Sequence, residues 1–451
     1  MRQAVGLFLT VTSILHLASA VNAASPRVAT FRFEITPPLG SPLCGGWIKP
    51  LVGVDDALWA KGIVLDDGAR KYVLCALDWC EVRDSAHDRL RQALATAVGT
   101  EARYTAVQSL HQHNAPIVDI DAERLIAAEP KPLPSVDVAH FEHVVAQLGK
   151  AAAEAAGRIE PFDTVATGTT TVEEVASSRR IRDAEGKLVV RYSSATDPKI
   201  RALPQGLIDP VLRTVSLLNG DRPLVRLHYY ATHPQSYYGD GRASSEFPGL
   251  ARDRLEREEG VFQIYFTGCA GNVAAGKYND GTPLARVQLT DRMFHAMQRS
   301  IKASSPAPVG PIGWRTAELS LPIRNDPGYS EAEGKAAIAN PDAPASQRLN
   351  AALQLAFRER LDRPFELTCL ELGNVRCLHL PGEPFIEFQL HAQKLATDKF
   401  VCVAGYADGA PGYLCTAASY GEGGYEPTAS LVTPAAEELI NAGIRKLLES
   451  Q

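Results

Sequence analysis

The sequence has no surplus of positive charge. It holds 46 lysines and arginines against 52 aspartates and glutamates, a net charge of -6 over 451 residues. Because neutralising nucleic-acid phosphates requires a surplus of Lys and Arg, this balance excludes an electrostatic nucleic-acid binder. Cysteine is also scarce, with eight in all. That number excludes a scaffold built from disulfides but leaves open whether the thiols are paired or free.

The remaining composition is that of a globular protein. Hydrophobic residues make up 45%, charged residues 22% and aromatic residues 7% of the chain. These values exclude disordered, collagen-like and coiled-coil proteins. The sequence contains no internal repeat and no low-complexity tract.

The N-terminus has the pattern of a secretory signal peptide. Arg2 precedes an apolar run from 4 to 17, and two small-x-small signals follow, the second ending at Ala23. The pattern predicts a signal peptide over 1–23, cleaved near Ala23, and export to the periplasm or the medium. A membrane anchor is the weaker alternative, since the apolar run is too short to span and His16 interrupts it. No later run reaches spanning length, so we expect no transmembrane segment.

Residues 24–451 are interpreted as a single domain of the α/β class, in the mixed α+β sense, because short β-type runs alternate with amphipathic helices. A boundary near Pro306 is the alternative, since the chain is long for one core. Strands are predicted over 72–77, 104–107, 224–230 and 261–266. Helices are predicted over 84–98, 138–158, 283–302, 346–361 and from Thr433, as N-cap, to Leu448.

Histidine is scarce, with eleven in the chain, so its placement is informative. His111 and His113 follow the strand that begins at Tyr104. At a spacing of two on an extended chain, both point the same way, which suits a metal ligand beside a general base. A pair of surface histidines fits the pattern equally simply.

Two further segments place a possible ligand where a strand ends. His233 precedes Pro234 after the strand 224–230, which presents its ring at the sheet edge rather than inside. Glu383 follows a Pro-Gly turn. It suits either a metal ligand or an acid at a helix start, where the helix dipole stabilises it.

A glycine-rich loop over 267–277 follows the strand 261–266. Its glycines allow close approach of backbone to a ligand, so the loop could cradle an anion. The loop fits neither the P-loop nor the dinucleotide fingerprint, which excludes a nucleotide-binding fold of those types. Cys269 in this loop is either a nucleophile or, more simply, a buried apolar residue.

A loop over 405–413 adds two tyrosines, Tyr406 and Tyr413. Together the segments supply imidazoles, a carboxylate and a phenol. This set is typical of a zinc site that keeps one position open for water or substrate.

The ordered set of motifs resembles the neutral/alkaline non-lysosomal ceramidase family. The resemblance begins with Ile-Thr-Pro-Pro-Leu-Gly at 35–40 and the segment 53–68. It continues through His-x-His, His-Pro, the glycine-rich loop, Pro-Gly-Glu and the tyrosine loop, over roughly residues 28–449. It implies the family's catalytic fold of layered sheets flanked by helices, here without the C-terminal immunoglobulin-like domain.

The resemblance also implies site residues. One Zn²⁺ ion is expected on His111, His233, Glu383 and Tyr413. His113 matches a histidine that orients a reacting group, and Arg179 or Arg180 matches an active-site arginine, with Arg179 preferred. His113, Arg179 and Tyr413 are therefore expected to be catalytic.

The chain departs from the family at the glycine-rich loop. Ceramidases read Gly-Asp-Val-Ser-Pro there and use the serine as nucleophile, whereas this loop has Asn272 and Ala274 at the acid and serine positions. Gly271, Asn272 and Ala274 are expected to bind substrate. Lys277 either binds substrate or is a solvated lysine.

The sequence therefore predicts an exported zinc-dependent hydrolase of an amide or ester that uses metal-activated water. The expected partner is a small-molecule or lipid-like substrate, and the oligomeric state is left open. The alternative is a non-catalytic member of the family that keeps the metal and binds a ligand.

Overall fold

The computed structural model describes residues 25–360 and 362–449. The predicted signal peptide, residues 1–23, lies outside them. The helices of the described residues are α1 (Asp84–Val98), α2 (Ile120–Ala127), α3 (Val138–Ala156), α4 (Pro198–Ala202), α5 (Glu246–Glu259), α6 (Pro283–Lys302), α7 (Glu331–Ala339), α8 (Ala345–Glu359), α9 (Ile386–Leu395), α10 (Ala417–Glu422), α11 (Tyr425–Ala429) and α12 (Ala436–Leu448).

The strands are mostly short. They are β1 (Arg27–Glu34), β2 (Gly53–Val54), β3 (Trp59–Asp66), β4 (Lys71–Leu77), β5 (Glu81–Val82), β6 (Thr105–Ser109), β7 (Ile117–Val118), β8 (Glu160–Pro161), β9 (Thr164–Thr171), β10 (Ser177–Ser178), β11 (Arg180–Arg182), β12 (Leu188–Val190), β13 (Val211–Asn219), β14 (Arg222–Tyr230), β15 (Arg242–Ala243), β16 (Phe262–Thr267), β17 (Val273–Ala274), β18 (Ser305–Pro308), β19 (Ile312–Leu319), β20 (Phe365–Leu372), β21 (Val375–His379), β22 (Glu383–Pro384), β23 (Phe400–Ala404) and β24 (Tyr413–Leu414).

Three larger sheets form the centre of the described chain. Their strand orders are β6-β4-β3-β1-β8, β16-β14-β13-β9-β18 and β19-β20-β21-β23. Each sheet is antiparallel except for one parallel pair, which is β4 with β6, β14 with β16, and β21 with β23. The expected mixed α/β class of layered sheets is confirmed.

Helices cover the outer faces of these sheets. The first sheet packs against α1 and α3, the second against α5 and α6, and the third against α9 and α12. The largest apolar cluster joins the three sheets through side chains such as Leu74, Leu227 and Leu370. Since all three are fully buried, the sheets share one core.

Most predicted helices have the expected bounds. α1 and α6 agree at both ends, and α3 ends two residues before the predicted position. The predicted start of the last helix at Thr433 is wrong. Thr433 N donates to Pro322 O at 2.9 Å, which holds this residue in the preceding loop, so α12 begins at Ala436.

A long excursion of the chain separates two paired strands. β19 and β20 are hydrogen-bonded neighbours, and residues 320–364 between them include α7 and α8. These two helices pack on each other, and α8 also packs on α2. The segment is therefore a side branch of the third sheet and adds no strand to it.

The eight cysteines all lie within the described residues. Each is buried and none is in a disulfide. For Cys269, burial raises the pKa of the thiol well above its usual value, so the interpretation of this residue as a buried apolar side chain is the one that the structure favours. None of the described helices is both long and apolar enough to cross a membrane.

One fully buried ion pair ties the first sheet to α5. Arg252 donates to both carboxylate oxygens of Asp78, at 2.7 and 2.8 Å, and Asp78 also accepts from Trp59 N at 2.9 Å. Both side chains are inaccessible to solvent. Arg252 also pairs with the partly exposed Asp253 at 2.8 Å. Loss of Asp78 still removes the fully buried, two-oxygen partner of this guanidinium, which is more costly than the loss of an exposed pair.

We therefore expect Asp78→Asn to lower the free energy of unfolding by about 3–5 kcal/mol. The matched control is Glu258→Gln, which breaks the exposed pair between Arg254 and Glu258 and is expected to cost less than about 1 kcal/mol. Urea unfolding followed by tryptophan fluorescence measures both. Equal shifts of the two midpoints would contradict this view of the buried pair.

Candidate metal centre

The parallel strand pairs of the three sheets end at one place. Ser109 N donates to Tyr406 O at 2.9 Å, Thr267 Oγ1 to Leu110 O at 2.8 Å, and Gly405 N to Thr267 O at 3.0 Å. These bonds join the loops that follow β6, β16 and β23. Since ligand sites in open sheets form outside the carboxyl ends of strands, the loops form a natural site.

His111 is fixed on the first of these loops. Its main-chain N–H donates to Trp79 O at 3.0 Å, and its ring Nδ1 lies 3.1 Å from Cys80 O. The ring of Tyr406 stacks on it with centroids 4.3 Å apart. The expectation of extended chain through the His-x-His motif is wrong, because His111 has a φ of 75°. The backbone turns there to bring the ring inward.

His233 is held by the glycine-rich loop. Its Nδ1 lies 2.7 Å from Ala270 O, and its main-chain N–H donates to Val273 O at 2.9 Å. The residue is fully buried. The ring therefore points into the protein from the end of β14, rather than outward as a turn histidine does.

Glu383 is delivered by the Pro-Gly turn. Gly382 has a φ of 61°, a conformation that glycine adopts without strain. Glu383 then forms β22, whose parallel partner in β24 is Tyr413. The helix-start alternative is wrong, because α9 begins only at Ile386. One helix and one strand, α9 and β23, connect Glu383 to Tyr413, as the spacing predicts.

Three ligand atoms converge at the centre of this cluster. His111 Nε2 lies 3.2 Å from His233 Nε2 and 3.0 Å from Glu383 Oε2, and His233 Nε2 lies 3.3 Å from the same oxygen. These separations match the roughly 3.3 Å between ligand atoms that lie about 2.0–2.1 Å from a tetrahedral zinc ion.

The hydrogen bonds of the two histidines decide what the cluster can hold. Each Nδ1 faces a backbone carbonyl, which only a protonated nitrogen can satisfy, so each Nε2 is left with a lone pair. Glu383 Oε2 has no hydrogen-bond partner among the described residues although it is buried. With the two histidines neutral, three ligand atoms face one another at 3.0–3.3 Å, so the residues present fit a metal ion.

Burial and mutual contact shift the pKa values of the three candidate ligands. Burial raises the pKa of Glu383, but the adjacent His111 and His233 outweigh it and hold this pKa well below the usual value. Burial lowers the pKa of His111, and the Glu383 carboxylate reverses that into a net increase. Burial lowers the pKa of His233 to about 4. Glu383 is therefore ionised at neutral pH.

His113 lies beside this cluster. Its Nε2 is 3.4 Å from His111 Nε2, and its ring contacts Tyr238 edge-on. Burial, followed by repulsion from His111 and His233, lowers its pKa well below the usual value. His113 is thus a neutral imidazole at neutral pH. Cys80, His111 and His113 form a second possible ligand group among the described residues.

Arg179 connects the cluster to Tyr413. Its Nη1 donates to Tyr413 Oη at 3.1 Å and lies 3.2 Å from His233 Nε2. Its Nε lies 3.1 Å from Glu426, which is fully buried and also pairs with Arg180 at 3.0 Å. Burial, together with the Glu383 charge, raises the pKa of Tyr413 well above its usual value, so its phenol is neutral at neutral pH.

The glycine-rich loop packs against the protein. A side chain at Gly271 would overlap the backbone of Glu383. The Asn272 amide accepts from Ile386 N at 2.8 Å and donates to Glu387 at 2.9 Å. Ala274 is fully buried and bridges to His233. Gly271 and Ala274 therefore bring the loop against the segments that carry Glu383 and His233. Binding of an anion by this loop stays a prediction.

Lys277 is also engaged by the protein. Its ammonium donates to Arg201 O at 2.9 Å and to Leu203 O at 2.6 Å. The cavity that opens over the metal cluster is not lined by Lys277, Gly271, Asn272 or Ala274. Contact of these four residues with substrate stays a prediction.

A cavity of about 920 Å³ opens over the cluster, a volume in the upper part of the range for small-molecule sites. His111, His113, Glu383 and Tyr413 lie in its wall. Residues of α7 and α8, from the segment between β19 and β20, form much of the remaining wall. The candidate ligands are therefore reachable by a small molecule.

Sequence reasoning gave no role to several neighbours of the cluster. Tyr406 stacks on His111, and Glu426 holds Arg179. Glu81 Oε1 lies 3.6 Å from His111 Nδ1. Glu81 does have a signal, since it follows the end of β4, the strand beside β6. Glu426 has none, because its partners are distant in the chain.

No protein-family model matches the sequence, and no curated protein matches it. Solved structures do. The neutral ceramidase from Pseudomonas aeruginosa aligns over 94% of this chain and 74% of its own, with a TM-score of 0.66 and 15% identity. The chain has a neutral-ceramidase-like fold.

A second structure supports this neutral-ceramidase-like fold. A ceramidase complexed with C2 aligns over 95% of this chain and 76% of its own, with a TM-score of 0.66 and 14% identity. At such identities the likeness establishes the fold alone. The chemistry of this neutral-ceramidase-like protein depends on its own residues.

We expect this centre to bind zinc in solution. Zinc added to the chelator-treated protein is expected to raise the melting temperature by a few degrees, because a ligand at about 100 times its Kd stabilises by about 2.7 kcal/mol. His111→Ala and Glu383→Gln should abolish the shift. His295→Ala, which removes an exposed histidine on α6, is the control. A shift that survives His111→Ala would place the metal elsewhere.

Proposed function

We propose that this protein is an exported zinc-dependent hydrolase of an amide or ester bond that uses water rather than a serine. The observation that carries the proposal is the convergence of His111 Nε2, His233 Nε2 and Glu383 Oε2 within 3.0–3.3 Å of one another. The ceramidase-like fold supports the hydrolase class. A lipid-like or other small substrate reaches the cluster through the cavity above it.

His111, His233 and Glu383 would hold the ion, and Tyr413 is proposed as the fourth ligand or as a hydrogen-bond donor. A zinc ion bound there supplies Lewis-acid chemistry and lowers the pKa of water enough to provide a nucleophile near neutral pH. Ala274 has no group that can attack a carbonyl. Ala274 is also fully buried. The proposed attacking group is therefore water and not a side chain.

The chain's own residues are proposed to handle the proton and the charge. His113, neutral because burial lowers its pKa, accepts a proton at Nε2 and returns it to the leaving group. Tyr413 Oη donates to the carbonyl oxygen as negative charge develops. Arg179 holds the Tyr413 hydroxyl in place, and Glu426 holds Arg179. Contact of Arg179 with an anionic substrate group stays a prediction.

The zinc-loaded protein is expected to hydrolyse 4-nitrophenyl acetate or a simple anilide, and chelation should remove the activity. His111→Ala should lower kcat/KM at least about a hundredfold, because both nucleophile generation and charge stabilisation are lost. His295→Ala should leave kcat/KM unchanged. Full zinc content without turnover on an ester and amide panel would favour the non-catalytic, ligand-binding alternative.

Direct attack by water also predicts the time course of product formation before the steady state. Product is expected to form without a burst, since no acyl-enzyme accumulates. Stopped-flow absorbance with 4-nitrophenyl acetate measures this. A burst that is stoichiometric with enzyme would point to a covalent nucleophile and contradict direct attack by water.

A further inference from the structure

The wall of the cavity opposite the metal cluster is formed by one face of α8. Its cavity-lining positions include 346, 347, 350, 353 and 354, which recur at the three- and four-residue spacing of a single helix face. The opposite side of α8 packs on α2 through Leu349, Ala352 and Ala356. The cavity face of this helix is therefore fixed in orientation.

Most side chains on this face are polar amides or hydroxyls. Gln347 and Asn350 are exposed into the cavity, and Asn340 at the end of α7 adds a third exposed amide. Gln354 is buried and donates to Tyr329 O. In the described cavity lining, the only Val, Leu, Ile or Met residues are Ile117, Leu353 and Leu431. An alkyl chain would strip water from the amides without replacing their hydrogen bonds.

Aromatic rings form another part of the wall, beside small residues that include five alanines and a proline. Tyr238 and Tyr425 are 56% and 42% exposed although both line the cavity. Trp47 also lines it, and its Nε1 is buried without a partner among the described residues. Such rings offer a flat apolar face with a polar edge. That combination suits a ring that has C–H groups on its faces and hydroxyls on its rim.

Away from the metal cluster, the described cavity wall offers no unpaired Lys or Arg to an anionic ligand. Among the described residues that line it, Arg83 is the only Lys or Arg, and Arg83 is paired with Glu81. Glu333 accepts from Ser330 and Gly328 at its helix start. A phosphate or carboxylate group would therefore lack a counter-charge on this wall, so the geometry favours a neutral ligand.

We propose that the substrate is an acylated saccharide, whose sugar ring binds between the α8 amides and the exposed tyrosines while its acyl group reaches the metal cluster. This rests on the proposed function. An N-acyl amino sugar and an O-acylated sugar share this chemistry. In either case water adds to the acyl carbon, the C–N or C–O bond breaks, and the sugar leaves as an amine or an alcohol with one proton.

The test measures binding to the zinc-loaded protein by isothermal titration calorimetry and acetate release in parallel samples. The probes are an N-acetylglucosamine tetramer, an O-acetylated xylan oligosaccharide and N-acylsphingosine in mixed micelles. At least one acetylated saccharide is expected to bind at least about tenfold more tightly than the micelles. The probe that releases acetate identifies the N-acyl or the O-acyl source.

A paired variant tests the wall itself. Gln347→Leu with Asn350→Leu is expected to weaken saccharide binding about tenfold, as the loss of two neutral hydrogen bonds predicts, with zinc content unchanged. The control Gln92→Leu removes an exposed amide on α1, outside this cavity, and should leave binding unchanged. For an alkyl ligand, the two leucines would keep or strengthen binding.

Two outcomes overturn the proposal while zinc-dependent turnover of 4-nitrophenyl acetate persists. One is tighter binding of the micelles than of every saccharide, and the other is saccharide binding that the leucine pair leaves intact. Absence of zinc or of turnover on generic esters would instead overturn the proposed function. Saccharide binding alone would then mark the cavity as a binding site.

Discussion

The candidate site depends on hydrogen bonds between loops that leave different sheets. Thr267, at the end of β16, binds Leu110 after β6 and Gly405 after β23. Two parallel strands cannot be joined by a tight hairpin. The chain therefore leaves the carboxyl end of each strand through a longer connection. Three such pairs ending together leave one concave region, and both histidines and the carboxylate of the cluster lie in or beside these loops.

The hydrogen bonds and packing around the cluster fix the positions of its candidate ligand atoms. The carbonyls of Cys80 and Ala270 fix the tautomers of His111 and His233, while the stacked ring of Tyr406 and the pairing of β22 with β24 fix the positions of the ligands. Holding ligands in this way is costly, because like lone pairs repel and Glu383 is desolvated. A bound ion would remove both costs at once, and part of the folding free energy would then come from metal binding.

The sequence allows much of this to be predicted, and the failures have physical causes. α1 and α6 are predicted to the residue because their apolar periodicity and, for α6, Pro283 at its start are local signals. The start of α12 is not, because Thr433 is held by Pro322, a tertiary contact. The ligand histidines stand out since they are rare and follow strands. The packing of the glycine-rich loop could not be predicted, because Gly271 accommodates the backbone of Glu383, which lies over a hundred residues later in the chain.

The segment 320–364 leaves and rejoins the third sheet at two neighbouring strands. The pairing of β19 with β20 does not depend on the length of this branch, but Arg360 near its end forms buried ion pairs with Asp408, in the loop 405–413, and with Asp84. The branch that forms a wall of the cavity is therefore tied to a loop that carries Tyr413. Substitutions on the cavity face of α8 that keep Arg360 in place would change this wall while leaving the cluster beneath it undisturbed.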